Sequence, residues 1–359
     1  MRRLLALSVL LAAIAVGVFA LVWRSEALQD RIVDAVIARR AVADRTDLLS
    51  PDHLDLVFCG TGSPMPDPQR GAACIAVFAG DRVFLIDAGP GSFERVARYR
   101  LPTGKLVGVL LTHFHSDHVG GLGEIALNSW TQGRAKPLLV YGGKGVEDVV
   151  QGFQGAYAAD SRYRIAHHGT KLLPPDGPRM QAVPVTLLGA DGVVPILEEG
   201  DLRIVAFRVQ HPPVSPAYGY RIDYKGRSAI FSGDTMPTAA MSEVGQGVDV
   251  MVHEAVSAPM MHKVADQLER TGDPRRAQLL RDAIDYHTPP VAAAEVANAA
   301  GARLLVYSHV IPPLPNALAE RVFLRGVDAV RPRGTVVGYD GLRVTLPVGS
   351  TEIRITDLN

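Results

Sequence analysis

Three histidines and one aspartate stand within six residues of each other, at His113, His115, Asp117 and His118. Imidazole nitrogens with a carboxylate, and without a thiolate, suit zinc, manganese or iron better than calcium. The cluster directly follows the apolar run 107–111, and the loop after a strand reaches the sheet edge where active sites of layered α/β proteins gather. The spacing therefore predicts a metal centre, against the plainer alternative of a solvated polar loop.

Asp234 is a second candidate residue that follows a strand-like run. Because it comes after Ser228 to Phe231 and a glycine, its carboxylate is expected to project from a sheet edge. Two cations about 3.5–4 Å apart repel each other, and a shared carboxylate offsets that repulsion. Asp234 is therefore a candidate metal ligand of a kind that two ions could share, with a plain Asp-Thr turn as the alternative.

The elements that must position these residues are short strands and helices in alternation. Strand-like runs occur at 54–58, 74–78, 83–86, 107–111, 203–208, 218–224, 228–232, 304–307, 335–338, 342–346 and 352–355, and helical patterns at 91–99, 120–130, 145–158 and 290–300. This alternation predicts one layered α/β domain over residues 51–359. The proline- and glycine-containing stretch near 159–200 and the charged, helix-prone stretch near 254–286 are predicted to be surface insertions.

The N-terminal apolar run predicts a membrane-directed segment. Arg2 and Arg3 precede the run 4–23, and twenty residues at about 1.5 Å each cover the roughly 30 Å hydrocarbon core of a bilayer. Residues 1–24 are predicted to be a signal anchor, with a cleaved signal peptide as the alternative, and residues 25–50 an amphipathic helical linker. The leading arginines predict a cytoplasmic N-terminus, which places the catalytic domain in the periplasm or another extracytoplasmic space.

Charge and cysteine content limit the partners and the covalent framework. The chain has 37 basic and 37 acidic residues and a net charge of zero, which argues against nucleic acid as a partner because such binding usually needs a basic face. Cys59 and Cys74 are too few for a disulfide framework and are predicted to be two small buried side chains. One bridge between them is the alternative, which export would allow.

The motif around the histidine cluster carries a family resemblance. The segment 112–121, Thr-His-Phe-His-Ser-Asp-His-Val-Gly-Gly, resembles the signature of metallo-β-lactamase-fold hydrolases. An ordered series of further motifs is similar to the ribonuclease Z-like branch of these hydrolases, at 60–64 with Pro66 and Arg70, 85–89, His211 with 219–221, 232–235, 253–255, 287–288 and 308–309. The resemblance covers about residues 54–346 and implies an α/β fold, a four-layer αββα sandwich, behind the N-terminal apolar helix.

The resemblance also implies a set of seven metal ligands. One metal ion would be held by three histidines, the other by one aspartate and two histidines, and one aspartate would bridge both; in that order these are His113, His115 and His211, then Asp117, His118 and His309, then Asp234. The cofactors implied are two divalent metal ions, with Zn²⁺ expected.

The expected reaction is hydrolysis by a hydroxide that bridges two metal ions, since such ions lower the pKa of a bound water towards about 7. Asp117 and His287 are the candidate catalytic residues. The related proteins place a catalytic histidine where His287 stands, so His287 is the expected acid for the leaving group, against a histidine bonded to the backbone at a helix start. Asp87 and Glu254 are predicted to orient ligands or loops.

Other histidines have weaker assignments. His253 is predicted to be structural and not a metal ligand. His167 and His168 either form a substrate-facing wall contributed by the insertion or lie on the surface, and the sequence leaves both alternatives open.

The substrate prediction depends on departures from the tRNA-processing enzymes that the chain resembles. Those enzymes carry a long arm that clamps tRNA, whereas only residues 222–232 lie between Arg221 and Gly233 here, and the segment 310–315 differs from theirs. We therefore expect a small-molecule ester substrate, either a phosphodiester or an aryl sulfate ester. Membrane contact through the N-terminal helix and assembly into a homodimer are further expectations. The alternatives are a tRNA 3′ processing endoribonuclease, a lactone or β-lactam hydrolase, and an inactive binding domain.

Overall fold

The N-terminal part of the chain is helical. The structure is a computed structural model that describes residues 2–40, 43–187 and 192–359, and the chain divides into two units, Met1–Asp44 and Arg45–Asn359. The first unit contains helices α1 (Arg2–Arg24) and α2 (Glu26–Arg40). Among the residues described, no single helix has the length and hydropathy of a membrane span. The helix pair Leu10–Arg24 and Glu26–Ala38, which is bent by 91°, has that length and composition when the two helices are taken together. The signal anchor stays a prediction.

The second unit contains two sheets. Its strands, in chain order, are β1 (His53–Gly60), β2 (Cys74–Ala79), β3 (Arg82–Ile86), β4 (Leu106–Leu110), β5 (Leu138–Gly142), β6 (Met180–Pro184), β7 (Val193–Glu199), β8 (Leu202–His211), β9 (Val214–Tyr224), β10 (Arg227–Phe231), β11 (Val250–Val256), β12 (Leu304–Ile311), β13 (Thr335–Val337), β14 (Leu342–Pro347) and β15 (Arg354–Asp357). One sheet has the strand order β15-β14-β1-β2-β3-β4-β5-β6, and the other has the order β13-β12-β11-β10-β9-β8-β7. Parallel strands at the centre of each sheet bring several strand ends to one edge.

Helices cover the outer faces of both sheets. They are, in chain order, α3 (Ser92–Arg98), α4 (Ser116–Val119), α5 (Leu122–Thr131), α6 (Val146–His168), α7 (Ala239–Val244), α8 (Ala258–Arg270), α9 (Pro274–Asp282), α10 (Pro290–Ala299), α11 (Ala317–Phe323) and α12 (Val327–Val330). Residues of α3, α5 and α6 share a buried cluster with the first sheet, and residues of α7 and α10 share one with the second.

The side chains of β1 show how the layers arise. Leu56 and Phe58 belong to the cluster between the sheets, together with Tyr220 of β9, whereas Val57 belongs to the cluster under the helices, together with Val96 of α3. Alternate residues of a strand point to opposite faces of its sheet. Because β1 is buried from Leu54 to Gly60, it contributes side chains to both hydrophobic clusters. The four-layer αββα prediction is therefore confirmed.

The stretch 159–200 differs from the predicted surface insertion. Helix α6 continues to His168 and ends at Gly169, which has a φ of 81°. Strand β6 then pairs with β5 at one sheet edge, and β7 pairs with β8 at the other. Two of the five prolines in this stretch, Pro184 and Pro195, lie in these strands, and an edge strand tolerates proline because one of its sides needs no backbone donor. Residues 188–191 of this stretch lie outside the described residues.

Cys59 and Cys74 form a disulfide bond at the adjoining ends of β1 and β2, with their Cα atoms 5.1 Å apart. The structure therefore has the disulfide bond that was the alternative prediction, and the two cysteines are not separate thiols. Both residues are buried, and Cys74 pairs with Gly60 in the sheet register. The bond therefore ties the loop that precedes β2 to the centre of the first sheet.

Reducing this disulfide is expected to lower the free energy of unfolding by about 3 kcal/mol, because the bond closes a loop of 15 residues in the unfolded chain. Urea unfolding of the protein with and without dithiothreitol measures the difference. In a Cys59→Ala, Cys74→Ala control, the reductant should have no effect. Equal unfolding midpoints for the oxidised and reduced protein would contradict the prediction.

Candidate metal centre and active site

The candidate site lies where strand ends meet. The loop after β4 carries His113 and His115, and α4 carries Asp117 and His118. His211 is the last residue of β8, His309 lies near the end of β12, Asp234 follows β10, and His287 immediately precedes the turn into α10. Elements far apart in sequence therefore deliver all the predicted site residues to one edge of the sandwich.

Backbone geometry at the site is unusual at three residues. Asp87 and His309 have φ angles of 59° and 51°, a left-handed conformation that is uncommon for residues other than glycine. Gly233 has a φ of 58°, and a Cβ atom there would lie 2.8 Å from both Thr112 Cβ and Tyr218 O. Only glycine fits at position 233 in this arrangement, so the turn before Asp234 depends on it.

The first group of candidate ligands comprises three histidines and Asp234. One ligand atom from each of His113, His115, His211 and Asp234 lies within 4.8 Å of the others. His115 Nδ1 is 2.9 Å from His113 Nε2 and 3.4 Å from His211 Nε2. Three imidazoles that converge this closely can hold a metal ion.

The second group comprises Asp117, His118 and His309, again with ligand atoms within 4.8 Å of one another. Oδ2 of Asp117 lies 3.1 Å from His309 Nε2 and 3.5 Å from His118 Nε2. Oδ2 of Asp234 lies 3.4 Å from His118 Nε2 and 3.5 Å from His309 Nε2, and 3.9 Å from a nitrogen of His113. Asp234 thus faces both groups, which is the position the sequence assigned to a bridging carboxylate.

Burial keeps the first group of histidines in the neutral form. Desolvation lowers the pKa of His113, and it also lowers the pKa values of His115 and His211, partly offset by the nearby Asp234 carboxylate. A neutral imidazole nitrogen is the form that binds a metal ion. The histidines of this group are therefore already in the protonation state that a metal ion needs.

The second group contains buried negative charge. Burial alone would raise the pKa of Asp234, but His309 and His118 lower it well below its usual range. Burial alone would lower the pKa of His118, but the carboxylates of Asp234 and Asp87 raise it well above its usual value. The buried carboxylates of Asp234 and Asp87 favour positive charge at this site, and a divalent cation there would balance their negative charge.

Three buried polar atoms of the site are left without hydrogen bonds to any described residue: Nε2 of His118, Oδ1 of Asp234 and Nδ1 of His309. A buried polar atom without a partner costs free energy, so such atoms gathered in one place indicate a missing ligand. Their number and chemistry fit divalent metal ions held by nitrogen and oxygen.

Asp87 orients His118, a member of the second group, through a hydrogen bond to its Nδ1. Its Oδ1 accepts a hydrogen bond from the Thr112 amide at 2.8 Å, and its Oδ2 accepts one from His118 Nδ1 at 2.8 Å. The bond fixes the tautomer of His118 so that Nε2 points towards Asp234. The left-handed backbone at Asp87 is held by this pair of contacts.

The Asp87→Asn variant is expected to bind metal about 10- to 100-fold more weakly, because an amide nitrogen facing His118 cannot accept its Nδ1 proton. Competition with a chelator of known affinity measures the change. Asp81→Asn, in the exposed turn between β2 and β3, is the matched control. Metal affinities that do not differ between the two variants would contradict the orienting role.

His287 is held by Glu254. Glu254 Oε1 lies 3.0 Å from His287 Nδ1 and also accepts hydrogen bonds from the amides of Thr288 and Thr235. Burial would lower the pKa of His287, but the Glu254 carboxylate raises it to about 9. His287 lines the same cavity as Asp234, so it is a protonated group next to the candidate metal ligands.

Sequence reasoning missed two residues that shape the site. The carbonyl oxygen of Tyr286 lies 3.2 Å from His211 Nδ1, and its ring centroid is 5.1 Å from that of His211. Asp340 accepts hydrogen bonds from the amides of Thr61 and Gly71 and so holds the loop after β1. Adjacency to His287 could have indicated Tyr286, but Asp340 acts across 279 residues, a contact that no local pattern predicts.

Three other histidines are not part of the described ligand groups. His253 is fully buried in β11 and its Nδ1 bonds the carbonyl of Glu254 at 2.8 Å, in line with its predicted structural role. His167 and His168 are exposed at the end of α6, with ring centroids 4.6 Å apart. They line none of the cavities next to the site.

The predicted short hairpin is present. Strands β9 and β10 are joined by Lys225 and Gly226 alone, with Tyr224 paired to Arg227. Lys225 and Gly226 both have positive φ, as the two central residues of a tight hairpin turn require. A long tRNA-clamping arm between these strands is therefore absent from this described segment.

Comparison with known proteins identifies the class. Residues 82–310 match the family described as Beta-lactamase superfamily domain. A ribonuclease Z from Mycobacterium avium is 34% identical over 285 residues, which are 77% of this chain and 95% of that protein. A ribonuclease Z from Mycobacterium bovis is 33% identical over 295 residues, which are 81% of this chain and 98% of that protein. The fold, the histidine-aspartate site and these matches define a metal-dependent hydrolase.

Solved structures agree at the level of fold. Human tRNase Z, short form, has a TM-score of 0.56 and 20% identity, and the alignment covers 82% of this chain and all of that one. The metallo-β-lactamase-fold protein YhfI from Bacillus subtilis has a TM-score of 0.59 and 18% identity, with 82% and 100% covered. The chain belongs to the metallo-β-lactamase-fold hydrolases, in their ribonuclease Z-like branch.

These relatives correct one prediction. Nucleic acid was argued against as a partner, whereas the similar proteins are ribonucleases, so that argument is wrong. Its physical weakness is that a net charge of zero averages over the whole surface and says nothing of one face. A metal centre also supplies positive charge that a count of residues does not include.

Proposed function

We propose that this chain is an endoribonuclease of the ribonuclease Z type, which hydrolyses a phosphodiester bond at the 3′ side of precursor tRNA. The observation that carries the proposal is 34% identity over 95% of a ribonuclease Z, with all seven candidate ligands and His287 together in one site. Several of the motifs that first indicated this branch, at 60–64, 85–89, 232–235 and 308–309, lie at or near strand ends.

Two divalent metal ions, for which we expect zinc, would be held by the seven residues and would supply an activated water and positive charge opposite the scissile phosphate. Asp234 faces both ligand groups and balances their charge. Asp87 keeps His118 in the tautomer that directs Nε2 inward. Asp117, predicted to be catalytic as well as a ligand, contacts His309 and His118 and so helps fix the second group.

His287 supplies the proton that the leaving oxygen needs. Glu254 accepts the hydrogen bond from Nδ1, which leaves Nε2 of the protonated ring as the donor. A pKa of about 9 keeps the ring protonated at neutral pH, as a general acid requires. The cleaved bond is the P–O bond to the departing sugar oxygen, which leaves as a hydroxyl.

A cavity near the histidine loop offers cationic side chains for an RNA backbone. Lys144 and Arg208 line it, together with Tyr218 and one acidic residue, Glu147, and its volume is about 420 Å³. The Tyr218 amide bonds the Thr112 carbonyl at 2.9 Å, so this cavity lies beside the strand end that carries His113. Phosphate contacts by arginine and lysine are the usual source of RNA affinity.

The second candidate is hydrolysis of a small phosphodiester outside the cytoplasm. The two-residue hairpin at Lys225 and Gly226 favours it, because the arm that clamps tRNA in the related enzymes is missing there. The Cys59–Cys74 bond favours it too, because disulfides persist in oxidising compartments. Both candidates use the same site and the same attack on phosphorus.

The test uses the metal-loaded full chain with precursor tRNA and with bis-nitrophenyl phosphate. Cleavage of precursor tRNA at its 3′ side, with a rate that falls steeply with salt, is expected for the first candidate. Hydrolysis of bis-nitrophenyl phosphate without cleavage of precursor tRNA would overturn the first candidate and favour the second one. A nitrophenyl sulfate and a lactone in the same panel measure how strictly phosphorus is required.

A further inference from the structure

An apolar cavity adjoins the candidate metal ligands. It has a volume of about 460 Å³ and is lined on one side by site residues, among them His115, Asp117 and His309. The rest of its lining is mainly apolar and comes from the loop after β1, from α8 and α9, and from the end of β12: Met65, Met261, Val264, Leu268, Leu280 and Ile311. A substrate that reacts at the site could therefore place an apolar part in this cavity.

A second apolar cavity continues from the first. Its volume is about 740 Å³, and it shares Met65, Pro66 and Val264 with the first cavity. Most of its other apolar residues follow the last histidine ligand, in and before α11, among them Pro312, Pro313, Leu318 and Val322. We call the two adjoining cavities the apolar trough. Leu279 and Leu318, which line it, are 58% and 70% exposed, an uncovered apolar surface that points to a ligand.

Charged groups are sparse along the apolar trough. Away from the metal-site residues and His287, the inner cavity has one charged side chain, Arg276, which is exposed and already paired with Asp273 at 3.3 Å. The outer cavity has Asp67 and Lys263, which balance each other in charge. Such walls cannot pair with successive phosphates of a nucleic acid strand. They suit a single hydrocarbon chain.

We propose that this centre also hydrolyses amphiphilic phosphodiesters, with the phosphate at the metal-site residues and an alkyl chain in the apolar trough. The inference rests on the phosphodiester hydrolysis proposed above, but not on RNA as the substrate. Water adds to phosphorus and the P–O bond to the leaving alcohol breaks. His287 gives the alcohol its proton and regains one from the attacking water, so the products are the alcohol and the chain-bearing phosphomonoester.

Chain length is the variable that tests this proposal. In a series of alkyl nitrophenyl phosphates from methyl to decyl, the leaving group stays constant and only the alkyl chain changes. Each methylene removed from water should raise kcat/KM roughly fourfold until the trough is filled. Equal kcat/KM for the methyl and decyl esters would overturn the proposal. Hydrolysis of no ester at all would instead contradict the proposed phosphodiester hydrolysis.

A binding measurement keeps the test independent of turnover. Alkylphosphonates of the same chain lengths have no ester bond to hydrolyse, and titration calorimetry gives their dissociation constants. The constant should fall by a similar factor per methylene, with a negative heat-capacity change from apolar burial. Dissociation constants that do not change with chain length would overturn the proposal whatever the kinetics show.

The Val264→Trp variant tests where the alkyl chain of the substrate binds. Val264 is the α8 residue shared by both cavities, so an indole there should close the passage between them and end the chain-length gain at short esters. The readout is the ratio of kcat/KM for the decyl ester to kcat/KM for the methyl ester, measured within each variant. The matched control is His262→Trp, an exposed position on the same helix that lines neither cavity. An undiminished gain for long chains in Val264→Trp would place the chain elsewhere and contradict the assignment.

Discussion

Replacing Asp234 with alanine is expected to lower kcat/KM for a phosphodiester by roughly 10²- to 10⁴-fold. Its Oδ2 lies 3.4 Å from His118, 3.5 Å from His309 and 3.9 Å from His211, and the carboxylate is buried. Without this carboxylate, nothing shared between the two ligand groups would offset the repulsion between two metal ions. Each 1.36 kcal/mol of transition-state stabilisation that is lost lowers the rate about tenfold.

The measurement is steady-state kinetics with bis-nitrophenyl phosphate, with metal content determined on the same samples. Asp201→Ala, an exposed carboxyl at the turn between β7 and β8, is the control and should keep the rate of the unmodified protein. Circular dichroism and the unfolding midpoint separate a lost fold from a lost function. Full activity in a folded Asp234→Ala variant would remove the shared carboxylate from the mechanism.

Replacing His287 with alanine is expected to affect poor leaving groups far more than good ones. A general acid contributes about 10²- to 10⁴-fold where the leaving oxygen needs a proton, as in a sugar or alkyl phosphodiester. Nitrophenolate leaves without protonation, so nitrophenyl esters should lose little. The reason lies in the pairing of His287 with Glu254, which raises the pKa of His287 to about 9 and keeps it protonated.

The pH dependence adds a second readout for His287. Because an acid must be protonated to act, the rate with a poor leaving group should fall as pH rises through about 9, and this fall should vanish in His287→Ala. His262→Ala, on the exposed surface of α8, is the matched control. Equal losses with both classes of leaving group would show that His287 positions a neighbour and is not the acid.

Much of the fold was predictable because its elements have local signals. The continuous burial of β1 and the glycine turn before Asp234 follow from residue type, and the four layers follow from the order of strands and helices. The stretch 159–200 was not predictable in this way. Its helix has no strong apolar face and its strands lie at sheet edges, where neighbours decide the structure more than intrinsic propensity does.

The candidate site shows the same division. The loop from His113 to His118 is one local motif, so composition and spacing alone indicated a metal centre. The gathering of His211 and His309 around it depends on strand ends that only the folded sandwich brings together, and family resemblance supplied those residues. The apolar trough had no local signal, because its wall combines residues from the loop after β1 with α8, α9 and α11.

The metal content of the purified full chain tests the central claim most directly. After reconstitution with zinc and removal of free ions, elemental analysis is expected to find about two bound ions per chain, one at the histidine group of His113 and one at the group of Asp117. The Asp234→Ala variant should retain fewer. A reconstituted, folded protein that binds no metal would contradict the two-metal hydrolase described here.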